Sequence, residues 1–184
     1  MLRISRLVRF PSFATKIANV EEMIRNRAPH IQVVETVSSI DPDQLCQTEC
    51  IELAFLSARL HKLSPNNKTS KRLLSGIIER VAFGVDIQSQ SPEYVSKLFW
   101  SCATLSVRPF VPSGLAKSLL KRDLSDKDYC TIIWGLSKFV PPDDSDAKEV
   151  FLELVDALTE ERCKSLSNDD IVNLLRSISL VYLR

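Results

Sequence analysis

Residues 95–107 read VSKLFWSCATLSV, and the same pattern returns as CIELAFLSARLH at 50–61, CTIIWGLSKFV at 130–140 and IVNLLRSISLVYL at 171–183. Aligned without gaps, the four segments place similar residues at equivalent positions: Leu53, Leu98, Ile132 and Leu174; Phe55, Trp100, Trp134 and Arg176; Ala58, Ala103, Ser137 and Ser179; Leu60, Leu105, Phe139 and Val181. The offsets are 45, 34 and 42 residues, which suits one helical hairpin per repeat. The pattern predicts an all-α fold, an α-solenoid of stacked helical hairpins with about four degenerate repeats.

Composition is that of an ordinary soluble domain, since 45% of the 184 residues are hydrophobic and 26% are charged. No apolar run reaches the roughly 18 residues that a membrane-spanning helix needs, so we expect no membrane span. Residues 21–184 hold 20 Lys and Arg against 23 Asp and Glu. This slightly acidic balance argues against strong electrostatic capture of nucleic acid.

The first twenty residues, MLRISRLVRFPSFATKIANV, contain Arg3, Arg6, Arg9 and Lys16 and no acid. On a helix they form a basic side and an apolar side, which is typical of a mitochondrial presequence. We therefore predict a presequence at 1–20, a helical-repeat domain at 21–184 and a location in the mitochondrial matrix. The alternative is a basic first helix that packs on the rest of the chain.

The helix boundaries follow from capping and breaking residues. Ser91 followed by Pro92 opens one repeat helix, and Ser125 and Ser167 cap two others. The predicted helices span about residues 17–27, 43–63, 70–83, 92–108, 111–122, 126–140, 143–163 and 168–183, and residues 31–40 form a stretch of undecided type. Asp143, Asp144 and Asp146 are expected in the first turn of a helix, where the dipole favours acids.

Sequence signals for catalysis or cofactor binding are absent. The four glycines are isolated, so no phosphate-binding loop is present, and no zinc-protease motif occurs. Cys46, Cys50 and His61 lack a fourth ligand at a sensible spacing for zinc. The five cysteines are odd in number and scattered, which favours free thiols in a reducing compartment. We therefore expect a protein that is not an enzyme and that has no metal and no cofactor.

A polar stripe on the repeat helices is the candidate binding surface. Lys97, Ser101 and Thr104 are spaced at i, i+4 and i+7, so they form a polar stripe along one side of a helix. Trp100 and Trp134 lie beside the stripe. The stripe either lines a concave surface that binds RNA, or it is simply the solvated side of amphipathic helices. The two tryptophans either stack on bases or pack between repeats. The candidate RNA- or partner-binding residues are Arg59, Lys97, Ser101, Thr104, Thr131, Lys138, Asn173 and Arg176, with Lys117, Lys121 and Arg122 on a short helix.

The segments SPEYVSKLFWSCATLS at 91–106 and LSDKDYCTIIWGLSKFV at 124–140 resemble the repeat helices of organellar RNA-metabolism proteins. Each has a capped start, an apolar pair, a tryptophan, a small residue and then an apolar one. Such helices occur in heptatricopeptide and octotricopeptide repeats and in FAST-kinase-like leucine-rich regions. The resemblance covers about residues 43–184 and does not include the nuclease-like RAP domain that often accompanies them, so it implies no nuclease activity. It implies a role in mitochondrial RNA processing or translation, as in the mitoribosome, with mitochondrial RNA or ribonucleoprotein as the partner.

A second interpretation is a scaffold or accessory subunit that binds protein in a mitochondrial complex through the same concave face. The acidic balance of residues 21–184 favours it. The last repeat helix ends in Leu180, Val181, Tyr182 and Leu183. Since the end of a solenoid normally carries a polar cap, we expect this apolar end to be covered by the protein itself or by a partner, unless the chain is a fragment of a longer repeat protein.

Overall fold

The computed structural model describes residues 12–139 and 145–182, and every regular element in those ranges is helical. The all-α class is therefore confirmed for the described part of the chain. Its α-helices are α1 (Phe13–Arg25), α2 (His30–Ser38), α3 (Gln47–Leu63), α4 (Lys68–Gly84), α5 (Pro92–Leu105), α6 (Leu115–Leu120), α7 (Asp126–Phe139), α8 (Ser145–Asp156), α9 (Glu160–Ser165) and α10 (Asn168–Tyr182), with 3-10 turns at Pro42–Gln44 and Ile87–Ser89.

The four repeated segments form α3, α5, α7 and α10, which we call the repeat row. Each member of the row packs against the next one in chain order. Helices α4 and α8 pack on the row from α3 to α7, α6 packs on α8, and α1 and α2 pack on each other near α3 and α4. Consecutive repeats in the sequence are therefore neighbours in space.

Helices α3 and α5 lie parallel and in register, because residues at equivalent positions of the two repeats touch. The Nζ of Lys97 lies 2.7 Å from a carboxylate oxygen of Glu52. The ring centroids of Phe55 and Trp100 are 5.1 Å apart. The ungapped alignment of the sequence is thus also the alignment of the two helices in space.

Small residues line the contacts within the repeat row. An added Cβ at Gly135 of α7 would lie 2.8 Å from the Cβ of Phe99 of α5, so the two backbones approach closely. The equivalent residues Ser101 and Ser177 are buried. Their hydroxyl groups donate to the carbonyls of Lys97 and Asn173 at 2.7 and 2.8 Å, within their own helices.

This packing corrects one predicted binding residue. Ser101 has no exposed surface and its hydroxyl is already hydrogen-bonded, so it cannot contact a ligand. The middle position of the predicted polar stripe belongs to the helix–helix contact, and only the positions on either side of it remain accessible.

Capping decides where the helices begin. The hydroxyls of Ser125 and Ser167 accept from the backbone N–H groups of Asp128 and Asp170, each at 3.2 Å, as the sequence predicted. Helix α3 begins later than predicted, because the segment around Pro42 forms a 3-10 turn and the Cys46 N–H donates to Glu49 at 3.0 Å.

Other segments also differ from the predicted helices. The segment at 111–122 is helical only over Leu115–Leu120, after Gly114 with a φ of 78°. The helix predicted at 143–163 is broken into α8 and α9, because Thr159 starts a new helix by accepting from the Arg162 N–H at 3.2 Å. The undecided stretch at 31–40 is mostly α2. Asp146 lies in the first turn of α8, whereas Asp143 and Asp144 lie outside the described residues.

The predicted boundary between presequence and repeat domain falls inside α1. Helix α1 begins at Phe13, and its N-terminus is capped by Ser12. Val20 is fully buried, and Phe13 and Ile17 pack against the core. The described part of the basic segment therefore packs on the rest of the chain. Residues 1–11 lie outside the described ranges, and import into mitochondria stays a prediction.

We predict that Gly135→Ala destabilises the protein by about 1–3 kcal/mol, because the new Cβ would overlap Phe99 in a packed contact. Gly76→Ala is the matched control. Gly76 is also inside a helix, but an added Cβ there meets nothing within 4 Å, so alanine should stabilise by about 0.5–1 kcal/mol. Urea denaturation followed by circular dichroism measures both. Equal stabilities of the two variants would contradict the close approach of α5 and α7.

Candidate binding face on the repeat helices

Three clefts run across the exposed side of the repeat row. The first, of about 520 Å³, lies between α3, α5 and the start of α7; the second, of about 210 Å³, lies between Trp100 and Trp134; the third, of about 770 Å³, lies between α7 and α10. Trp100 and Thr131 line both the first and the second, and Trp134 and Asn173 line both the second and the third. The clefts therefore form one continuous surface, which we call the binding face.

Three aromatic side chains occupy equivalent positions on the binding face, and each has a cation over its ring. The guanidinium of Arg59 lies 6.0 Å from the centroid of Phe55. The Nζ of Lys138 lies 5.7 Å from the centroid of Trp134. Both cations are four residues after their aromatic partner in the same helix.

Trp100 takes its cation from a different helix. The residue four positions after Trp100 is Thr104, which carries no charge. The cation over the Trp100 ring is Lys62 of α3, whose Nζ lies 5.2 Å from the ring centroid. The Trp100 ring also packs on Phe55 with an angle of 55° between the ring planes. Trp100 therefore packs between repeats, and it also lines two of the clefts.

Lys97 is already paired within the protein. Its Nζ lies 2.7 Å from Glu52 and 2.8 Å from Glu93, and it stands over the rings of Tyr94 and Phe55 at 5.0 and 5.8 Å. Burial alone would lower the pKa of Lys97, but the hydrogen bonds to the two carboxylates outweigh it, so the pKa is raised. The hydrogen bond to Lys97 lowers the pKa of Glu93. Lys97 thus holds α3 and α5 together, and a phosphate would have to displace a carboxylate to reach it.

The other predicted residues divide into two groups. Arg59, Thr131, Lys138, Asn173 and Arg176 line the clefts of the binding face, and Thr104 is half-buried on α5 beside them.

The three basic residues predicted on the short helix lie elsewhere. Lys117, on α6, pairs with Glu153 of α8 at 3.1 Å, and Lys121 follows the end of α6. Arg122 donates to the backbone carbonyls of Gln88 and Gln90 and so ties α6 to the turn before α5. None of the three lines the clefts, and Arg122 has a structural role.

The face also contains charged residues that the sequence analysis did not select. Counting the Lys97 partner Glu52, the face carries six cations and four carboxylates, although residues 21–184 as a whole have more acids than bases. These residues are Arg59, Lys62, Lys97, Lys127, Lys138 and Arg176, and Glu52, Glu93, Asp128 and Asp170. The i,i+4 spacing of Glu93 and Lys97 signals their pairing in the sequence, but Lys62 and Lys127 show no comparable signal.

The cysteines of the chain are free thiols. Burial raises the pKa of Cys102 to about 12 and that of Cys130 to about 11, so both are neutral thiols at neutral pH. The Cys50 thiol donates to the carbonyl of Pro42 at 3.3 Å. In the described ranges no group of three or more His, Cys, Asp and Glu side chains is placed to hold a metal ion.

Comparisons with protein-family models, with curated proteins and with solved structures find no match to this chain. No helix in the described part of the chain combines the length and apolar character required to cross a bilayer. The function proposed below therefore rests on the residues of the binding face.

We predict that Lys97→Met destabilises the protein by about 1 kcal/mol at pH 7, because Glu52 and Glu93 lose their common cation. The pKa of Glu93 is lowered from its ordinary 4.5, so the pair stabilises the fold above that value and loses its effect as the pH falls through the lowered pKa. Urea denaturation at pH 7 and pH 3 tests this.

Lys71→Met, which removes an exposed lysine from α4, is the control. It should change stability little at either pH. A Lys97→Met variant as stable as the control at pH 7, or equally destabilised at both pH values, would contradict the structural role of the pair.

Proposed function

We propose that this chain is a non-catalytic helical-repeat protein of mitochondrial RNA metabolism or translation. In this proposal it binds single-stranded RNA, free or within a ribonucleoprotein, along the binding face. The observation that carries the proposal is the threefold recurrence of an aromatic ring with a cation above it, at equivalent positions of α3, α5 and α7. Aromatic platforms in a cationic groove are the usual means of holding unpaired bases and their phosphates.

The proposed architecture is an α-solenoid whose concave side is the binding face. Its support is the contact of each repeat helix with the next in chain order and the in-register pairing of Phe55 with Trp100. In a solenoid, equivalent residues of successive repeats form a line along one surface. Such a line suits a chain-like ligand that presents the same group at regular intervals.

The polar residues of the face match the two parts of a nucleotide. Lys138 and Arg176 border the third cleft, and neither has an ion-pair partner among the described residues. They would meet phosphates. Thr131 and Asn173, beside the two tryptophans of the second cleft, offer hydrogen bonds to the edges of splayed bases.

A protein ligand on the same face is the second candidate function, that of a scaffold or accessory subunit of a mitochondrial complex. The third cleft favours it, because Val172, Leu175 and Leu180 make much of its lining apolar. The acid excess of residues 21–184 also weakens general attraction to RNA.

We predict that the protein binds a fluorescein-labelled 20-nucleotide single-stranded RNA and that Lys138→Gln with Arg176→Gln weakens binding. Each lost phosphate contact should reduce the slope of log affinity against log salt by about 0.7. Trp134→Leu should cost about 1–3 kcal/mol by removing one stacking surface. Fluorescence anisotropy at several salt concentrations measures both effects.

The matched control is Lys71→Gln with Arg72→Gln, which removes two exposed cations from α4, outside the repeat row. An equal loss in this control would show general charge attraction and not the binding face. If the protein binds no RNA but co-purifies with a stoichiometric protein complex that the Lys138 and Arg176 changes disrupt, the scaffold is correct.

We predict that residues 1–20 fused to a fluorescent protein direct it to mitochondria, because the segment has four bases and no acid. Replacing Arg3, Arg6 and Arg9 by Gln should leave the reporter in the cytosol. A reporter that stays diffuse with the native segment would favour the alternative, in which this segment is only the first helix of the fold.

A further inference from the structure

The second cleft of the binding face differs from its two neighbours in charge. Among the described residues that line it, Asp170 alone is charged. The first and third clefts, in contrast, each have two or more cations in their lining. A phosphate is therefore attracted to the neighbouring clefts and repelled from the second one. The second cleft is left for an uncharged part of the ligand.

The size and walls of the second cleft suit a flat group. Its volume is about 210 Å³, and it lies between the half-buried rings of Trp100 and Trp134. Unpaired bases stack on such rings, because every base has a π face. A single base, with its phosphates directed to the clefts on either side, meets both conditions.

The carboxylate of Asp170 is held in place by the cap of α10. The Ser167 hydroxyl donates to its Oδ2 at 2.6 Å, and the Asp170 N–H donates to the Ser167 oxygen at 3.2 Å. No described residue donates to Oδ1, and a carboxylate oxygen can accept two hydrogen bonds. Burial chiefly, and then the charge of Asp170, raise the pKa of Cys130 in the same cleft, so the carboxylate lies close to the cleft wall. It is a fixed acceptor with both oxygens still available.

We propose that the second cleft selects guanine among the four bases, with Asp170 accepting the N–H groups at N1 and N2 of the base. This inference rests on the proposed function, because it requires single-stranded RNA on the binding face. An ionised carboxylate only accepts hydrogen bonds, and guanine alone presents two adjacent N–H donors on its Watson–Crick edge. Uracil has one donor between two carbonyl oxygens. Adenine and cytosine place their amino group beside a ring nitrogen whose lone pair repels the second carboxylate oxygen.

Asn173 completes the match to guanine. It follows Asp170 by three residues, so the two side chains share one side of α10, and it also lines the second cleft. Its amide N–H group can donate to O6 of guanine, the acceptor next to N1. Two acceptor oxygens followed by a donor are complementary to the edge of this base.

A cationic side chain of a protein partner is a poorer occupant of the same cleft. Two tryptophans and a carboxylate can hold an Arg or Lys side chain. Both rings already have a cation above them, however, since Lys62 lies 5.2 Å from Trp100 and Lys138 lies 5.7 Å from Trp134. A further positive charge would be repelled by both lysines, whereas a neutral base would not.

The test compares fluorescein-labelled 20-nucleotide RNAs by fluorescence anisotropy. Each is a uracil chain in which every third base is guanine, adenine, cytosine or hypoxanthine (the base of inosine). The guanine RNA should bind at least about threefold tighter than the adenine and cytosine RNAs, because a bidentate base contact discriminates by about 1–3 kcal/mol and one register in three places guanine in the cleft. Hypoxanthine lacks the 2-amino group, so it should lose most of this advantage.

Asp170→Asn should abolish the preference for guanine over hypoxanthine. The amide retains an acceptor for the Ser167 hydroxyl, and the preference is a ratio measured within one variant, so a general loss of affinity does not affect it. The matched control is Asp169→Asn, which removes an exposed acid from the same turn of α10. In this control the preference should persist.

Equal affinity for all four RNAs, or a guanine preference that survives Asp170→Asn, would overturn the inference and leave the proposed function standing. Failure to bind any of the RNAs would overturn both. A fluorescein-labelled Arg-Gly-Gly repeat peptide tests the other class of ligand. If this peptide binds, Asp170→Asn weakens its binding and no RNA binds, the cleft holds a cation of a protein partner and the inference is wrong.

Discussion

The close approach of α5 and α7 at Gly135 and Phe99 is the constraint on which the rest of the repeat row depends. A glycine there lets the backbone of one helix lie against the side chain of the next. Ser101 and Ser177 occupy the equivalent position in α5 and α10, where they are buried and their hydroxyls are bonded inside their own helices. Small residues at one repeated position therefore keep consecutive helices adjacent, and adjacency brings side chains 34 to 45 residues apart in the sequence onto one surface.

The electrostatics of the binding face follow from that adjacency. Lys97 meets Glu52 only because α3 and α5 lie in register. The charge of Lys97 is therefore neutralised within the protein, where the ion pair holds the two helices together. Three of the other cations, Arg59, Lys62 and Lys138, stand over aromatic rings. A cation over a ring loses less hydration than one in a buried pair, so it stays available to a ligand at small cost. The face is thus cationic where a ligand would touch it, within a chain that is acidic over residues 21–184.

The binding face changes in chemistry along the repeat row. It has aromatic rings, cations and hydrogen-bonding groups at repeated intervals along the side of the row. At α10 the row presents an apolar stripe whose equivalents are buried in the earlier repeats. Val172, Leu175 and Ser179 of that stripe also line the third cleft, so the apolar stripe is part of the binding face.

By itself, the sequence determined the helical class, most helices and the caps at Ser125 and Ser167, because periodicity and capping act between residues a few positions apart. It also identified the aromatic positions and several residues of the binding face. Only the tertiary structure decided that Ser101 is buried and that Lys97 is paired with Glu52. It also decided that Arg122 binds the carbonyls of the turn before α5 and that Lys62 reaches the ring of Trp100. Each of these outcomes depends on which helices become neighbours, and exposure and ion pairing between distant residues have no local signature in the sequence.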